Sequence, residues 1–208
     1  MLKDYSVANF VREVSSSSPA PGGGSAAALV GSQSAGLISM YCKLSQNREK
    51  LGSVVDVLQE IGEEAQILME KLLEAIDKDS VAFNQVMEAY RLPKGNDQEI
   101  IKRKKTIQEA AINAAETPMD TARASLRLLN MIKNVAGKGN PSAITDLGVA
   151  NLLAMSAIIG ACYNVSINLG MIKDEIIISN YKREVGDVLN LCKELFEENR
   201  AIIEENIQ

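Results

Sequence analysis

The sequence predicts an all-α protein, a bundle of about six long helices, and three observations carry that prediction. Val54, Leu58, Ile61, Ala65, Leu68, Leu72 and Ala75 follow one another at alternating intervals of four and three, the seam of a helix packed along its length. Valine and isoleucine elsewhere keep helical spacing, and aromatic residues make up only 4% of the chain, so no segment reads as a strand. Hydrophobic residues at 46% and charged ones at 24% suit a soluble domain with a real core. Nothing reads as an interdomain linker, so residues 1–208 are taken as one domain.

Six helical stretches follow in order, approximately 4–15, 25–46, 52–91, 97–136, 141–172 and 174–205. The N-terminal MLKDYSVANFVREV scatters its charges and has no apolar run, so no secretory signal is read there and a cytoplasmic location is expected. The second stretch carries a stripe of small residues, Ser25, Ala28, Ser32, Ala35 and Ser39, with Gly31 and Gly36 beside it. The third holds the seam above, and Pro118 in the fourth predicts a kink or break. The fifth opens with Asn140–Pro141, an N-cap followed by proline at the first helical position. Its face Asp146, Ala150, Ala154, Ala157, Ala161, Asn164, Asn168 is again mostly small. Val149–Tyr163 is the most apolar run, but Asp146, Asn151, Asn164 and Asn168 punctuate it; a bilayer needs roughly 20 apolar residues, so a buried helix and no membrane partner are expected. The sixth repeats the seam with Ile177, Tyr181, Val185, Val188, Cys192 and Leu195. Small side chains let backbones approach closely, so the second and fifth helices should cross each other or a symmetry mate, and an intimately packed homodimer is expected.

Composition excludes several chemistries. The chain has no histidine, which removes Ser-His-Asp and Cys-His nucleophile schemes and histidine-ligated zinc. Acid–base work must fall to carboxylates, lysine, tyrosine or backbone groups. A net charge of -5 argues against a nucleic-acid partner, and the basic run Lys102 to Lys105 reads as a solvated helix face. Cys42, Cys162 and Cys192 lie far apart among apolar residues with no C-x-x-C pair, so they read as reduced core thiols, and no metal site is expected.

The most distinctive segment is Pro19-Ala20-Pro21-Gly22-Gly23-Gly24-Ser25, running straight into Ala26-Ala27-Ala28. Three glycines let the backbone turn sharply and approach a ligand, while Ser25 suits the cap of a helix whose N-terminus favours an anion or carboxylate. It is not a nucleotide loop of the Gly-Lys-Ser/Thr kind, nor a dinucleotide fingerprint, which needs a βαβ setting.

These residues resemble a known family. PAPGGGSAAA, then Lys78-Asp79-Ser80-Val81-Ala82-Phe83 with Val86-Met87-Glu88-Ala89 and Leu92-Pro93-Lys94, then Gly139-Asn140 with Thr145-Asp146, and finally Asn164-Val165-Ser166-Ile167-Asn168-Leu169 occur in this order in the cyclodeaminase/cyclohydrolase family. That family comprises the C-terminal domain of formiminotransferase-cyclodeaminase and stand-alone methenyltetrahydrofolate cyclohydrolases, and the resemblance runs from about Ser6 to Asp174. It implies an all-α intertwined homodimer with a folate site near the glycine-rich loop and the dimer interface. It also implies either hydration of 5,10-methenyl-tetrahydrofolate to the 10-formyl compound or closure of 5-formimino-tetrahydrofolate to the methenyl one with loss of ammonia. No cofactor beyond the tetrahydrofolate substrate is implied. The stretch Asn47-Arg48-Glu49-Lys50-Leu51 departs from the family, with a glutamate where another lysine is common.

Both reactions pass through a tetrahedral carbon bridging two nitrogens, reached from a delocalised cation. They need a base, an acid and negative charge nearby, all of which carboxylates provide. Asp146, on a stripe otherwise made of alanines, is the first candidate, and Asp79 the second. Pro21, Gly22, Gly23, Gly24, Ser25 and Asn140 are expected to line the substrate; Asn164 and Asn168, one turn apart, carry the donors and acceptors that a pterin edge matches. Asp146 and Asn164 lie roughly 27 Å apart along one helix, so they serve opposite ends of the folate or different sites, including sites in different subunits. Lys50, Lys94 and Arg103 are the expected partners of the anionic glutamate tail. The cyclohydrolase is slightly favoured, with a non-catalytic folate-binding or protein-interaction bundle as the alternative.

Overall fold

The computed structural model of the chain describes residues 1–46, 52 and 54–207. A short helix α1 (Val7–Val14) precedes five long ones: α2 (Gly23–Gln46), α3 (Val54–Arg91), α4 (Asp97–Val135), α5 (Ile144–Leu169) and α6 (Glu175–Asn206). There is no strand among the described residues, as the periodicity indicates. Side chains set the helix starts by taking N–H groups that a helix leaves without partners. Ser6 accepts from the Asn9 N–H at 3.2 Å, Asn96 from Glu99 at 2.9 Å, and Asp174 from Ile176 at 2.9 Å. Asn140 takes the Ser142 N–H at 3.1 Å, with Pro141 opening the 3-10 turn that leads into α5.

The five long helices run alternately up and down. Ser25 meets Asp79 while Gly62 abuts Cys42, so α3 returns along α2. Gly23 lies against Asn164 while the Ser34 hydroxyl donates to the Ala150 carbonyl, so α5 does likewise. α4 lies antiparallel to α3, with Asn113 bonded to Gln85 and Arg127 paired with Glu64. α6 runs parallel to α4, where Glu184 meets Arg123 and Glu198 meets Lys133. The small faces of α2 and α5 cross each other within the chain. Ala150, Ala154, Ala157 and Ala161 are wholly buried, and a methyl group at Gly31 or Gly160 would stand 3.4 Å from Ala157 or Ala27. α5 with its leading turn is long and apolar enough to cross a membrane, and these alanines are spent on the core.

Pro118 does not break α4, which continues from Asp97 to Val135. Proline removes the N–H that the Ala114 carbonyl would accept. Asn168 of α5 replaces it, donating from Nδ2 to that carbonyl at 2.6 Å. Cys42, Cys162 and Cys192 are buried and unpaired, and burial pushes their thiols up to about 12, 11 and 11.

The loop between α4 and α5 is fastened to the end of α2. Gly139 N–H donates to the Tyr41 hydroxyl oxygen at 3.0 Å, and Asn140 N–H donates to Ser45 Oγ at 2.8 Å. A Cβ at Gly139 would lie 2.3 Å from Ser45 Oγ and 2.8 Å from the Tyr41 ring, both fixed in the core. Gly139→Ala should therefore lower the melting temperature by roughly 3–8 °C, the consequence of overpacking; a calorimetric scan showing no loss would contradict this close approach.

Candidate active site

At one end of the bundle the glycine loop, α3 and α5 converge. The first N–H groups of α2 have no acceptor in their own helix. α3 supplies one: Asp79 Oδ2 accepts from the Ser25 N–H at 2.8 Å and lies 3.0 Å from Ser25 Oγ. The approach depends on Gly24, because a Cβ there would stand 2.0 Å from Asp79 Oδ1. Gly23 is more mildly constrained: its Cβ would make a tight contact with Asn164 Nδ2 at 3.2 Å. Pro21 is buried behind the loop, whereas Gly23 is exposed and a Cβ at Gly22 would find open space.

Ser25 is buried and stands in the first turn of α2, which begins two residues earlier than the sequence indicates. Its hydroxyl is therefore not the cap; the Asp79 carboxyl is. Ser25 Oγ also lies 2.9 Å from the Ile76 carbonyl and 3.3 Å from Ser80 Oγ. One hydroxyl proton thus has three oxygens within reach, those of Asp79, Ile76 and Ser80. Donating to Asp79 it steadies the carboxylate; donating to Ile76 it leaves an oxygen able to accept from a protonated Asp79. Burial holds the Asp79 carboxyl above the usual carboxylate range, outweighing the Ser25 hydroxyl and N–H that pull it down. A carboxyl so placed suits proton transfer in either direction.

Gly22 to Ser25, Asp79 and Asn164 are thus brought together, and Ser80 joins them. Sequence reading missed Ser80, although its place next to Asp79 was a usable signal. Asn164 commits Nδ2 to the Gly160 carbonyl of its own helix at 2.8 Å and turns its amide plane toward Gly23. Asn168 is tied to α4 through Ala114.

The remaining candidates lie elsewhere in the chain. Asp146 stands in the first turn of α5 rather than the second, at the end of the bundle where Asn140 meets Ser45. Asn140 serves that end as a cap. Beyond Asp79, α3 continues about 18 Å and pairs with the start of α4 as a helical arm, closed by Ala82, Val86, Ala89, Ile107 and Ala110. Lys94 is exposed at its tip; Arg103 lies along it, bonding the Tyr90 carbonyl at 3.0 Å with its guanidinium 5.7 Å from the Tyr90 ring. Lys50 lies outside the described residues.

A cleft of about 490 Å³ opens between α3 and α4, on the other side of the α3 turn that carries Asp79. Lys71, Asp77 and Lys78 line one wall, Asn113, Glu116 and Asp120 the other. Glu116 is clamped by the Arg123 guanidinium and the Tyr181 hydroxyl, each at 2.5 Å, and burial together with Glu116 raises the Tyr181 phenol above its ordinary value. Among the described residues, no cluster of acidic or cysteine side chains is arranged to hold a metal ion.

Residues 6–187 match the formiminotransferase-cyclodeaminase family. A methenyltetrahydrofolate cyclohydrolase from Methylorubrum extorquens is 34% identical over 189 residues, 91% of either chain. Formimidoyltransferase-cyclodeaminase from Mus musculus is 31% identical over 192 residues, which take in 92% of this chain and 36% of that longer one. The crystal structure of formiminotetrahydrofolate cyclodeaminase from Thermotoga maritima superposes with a TM-score of 0.89 at 25% identity, covering all of both chains (100% each).

Asp79 also makes a stability prediction. Its folded pKa is raised, so its contribution is fully present below the unfolded value and is lost as pH rises through the folded one. Asp79→Asn keeps an acceptor for the Ser25 N–H without the charge. Its melting temperature should match the parent below about pH 4 and equal or exceed it at pH 7; a parent that gains on the variant with rising pH would reverse the assignment.

Proposed function

The chain belongs to the formiminotransferase-cyclodeaminase family, and we propose that it turns over a one-carbon derivative of tetrahydrofolate at the cluster of Gly22–Ser25, Asp79 and Asn164. The observation that carries this reading is the desolvated Asp79 carboxyl set against the start of α2, beside an exposed glycine backbone. The favoured reaction is hydration of 5,10-methenyl-tetrahydrofolate, supported by 34% identity running through 91% of both chains of the bacterial cyclohydrolase. Asp79 as carboxylate takes a proton from the attacking water while the new carbon–oxygen bond forms. It then returns that proton to the N5 nitrogen as the carbon–N5 bond breaks, while the hydroxyl on the same carbon gives up its own proton to solvent and becomes the carbonyl oxygen, leaving the formyl group on N10. The same carboxyl serves the cyclodeaminase reaction by accepting the N10 proton and delivering it to departing ammonia. Its negative charge steadies the cationic one-carbon bridge in both.

Purified protein offered each substrate distinguishes them: loss of the methenyl chromophore marks hydration, and its appearance with ammonia marks deamination. Asp79→Asn should lower kcat by about 10²–10⁴-fold with the fold intact. Turnover within threefold of the parent would remove Asp79 from the chemistry.

The second part of the proposal is a homodimer with shared sites. α2 and α5 leave an apolar outer face, in which Leu44 is 48%, Val149 48%, Leu152 56%, Tyr163 70% and Ile167 75% exposed. A patch of this kind on a soluble protein marks an interface. Within one chain Asp146 and Asn164 stand roughly 27 Å apart. A twofold axis crossing α5 near Ser156 carries Asp146 of the partner subunit toward the Gly23 end of the first. Mixing Asp79→Asn and Asp146→Asn protomers should then restore up to about a quarter of the parental activity, because half the dimers are mixed and each holds one complete site. No recovery after subunit exchange would place both carboxylates in separate functions.

A further inference from the structure

Pro118 opens the hydrogen-bond ladder of α4, and the structure fills the opening from another helix. The Ala114 carbonyl has lost its partner four residues on, and Ala114 is buried, so water is no ready substitute. Asn168 reaches it from α5 with a 2.6 Å bond from Nδ2. Around that bond the two helices present Ala111, Ala115, Ala161 and Val165, fully buried and without polar side-chain atoms. Directional contacts between α4 and the C-terminal end of α5 come from this bond and from Gln108, which donates to the Met171 carbonyl at 3.0 Å and accepts from the Lys173 N–H at 2.7 Å just beyond the helix. A helix displaced by one residue rises 1.5 Å and turns about 100°, which would carry Asn164, one turn before Asn168, away from Gly23.

We propose that Asn168 is a positioning residue: an interhelical strut that holds α5 at the height where Asn164 covers Gly23, rather than a reader of the substrate. The proposal rests on the reading of the glycine-loop cluster as the substrate site, and it changes the part Asn168 has there. One Nδ2 hydrogen of Asn168 goes to α4 and one of Asn164 to its own helix, but it is Asn164 that lies against Gly23, so the pterin edge falls to Asn164 and the loop backbone. Pro118 is the other half of the device, since it leaves free the acceptor that Asn168 satisfies.

Stability measurements without substrate test the strut, whatever reaction the chain performs. Asn168→Ala should lower the melting temperature by roughly 3–8 °C. In a Pro118→Ala background, where a new N–H reaches the Ala114 carbonyl, the same change should cost less than half as much. Equal losses in both backgrounds would overturn the strut. Should Pro118→Ala fail to fold, Asn168→Asp gives an independent reading. Protonated, the carboxyl donates to Ala114; ionised, it faces a carbonyl oxygen, so this variant should approach the parent below about pH 4 and lose stability above it. A variant with no such pH dependence would overturn the donor role. Positioning is read kinetically: Asn168→Ala should raise KM for the reduced folate at least fivefold with kcat within threefold. An unchanged KM would overturn it. If the parent shows no turnover at all, the functional reading fails while the stability arms still decide the strut.

Discussion

The Asp79 carboxyl, pressed against the start of α2, is the contact around which the site is organised. It joins residues 54 apart in sequence on two different helices, and it does so through a gap that exists because Gly24 has no side chain. Two opposing effects meet there. Hydrogen bonds from Ser25 and the positive end of a helix favour the ionised form, each by about a kcal/mol or more. Removal from water favours the neutral form and prevails. The outcome is a carboxyl held above its ordinary value while still accepting hydrogen bonds from Ser25. In a chain without histidine, the proposed acid–base role of Asp79 would take the place of an imidazole.

The up-and-down course of the helices imposes a second constraint. Each long helix spans the bundle, so groups at its two ends never meet within one chain. Asp146 and Asn140 gather with Tyr41 and Ser45 at one end, while Asp79 and Asn164 gather with the glycine loop at the other. The apolar outer face of α2 and α5 lies between these ends. In the proposed dimer, burying that face against a second copy would bring opposite ends of two chains together.

Much of this was legible in the sequence, and the reasons are local. Seams of spacing four and three and Asn-Pro before α5 act over a few residues. What escaped was non-local. Ser25 has the composition of a helix cap, yet the capping group comes from α3, and nothing near Ser25 announces it. Asp79 between Lys78 and Ser80 looks like part of a solvated patch. Helical rotation of about 100° per residue separates it from Lys78, which faces water, and turns it toward α2. Pro118 reads as a break only while Asn168, fifty residues later, is left out of account. Asp146 among alanines was conspicuous, but conspicuous placement on a stripe does not say which end of a bundle the stripe reaches.

The three buried thiols have a consequence for anyone handling this molecule. With their pKa values at about 11 to 12 and their sulfurs enclosed by helices, Cys42, Cys162 and Cys192 are inert toward alkylating reagents while the bundle is closed. They are distributed over α2, α5 and α6, one in each. The order in which they become labelled under gentle warming is thus a clock built into the chain, timing which helix peels away first and needing no engineered probe.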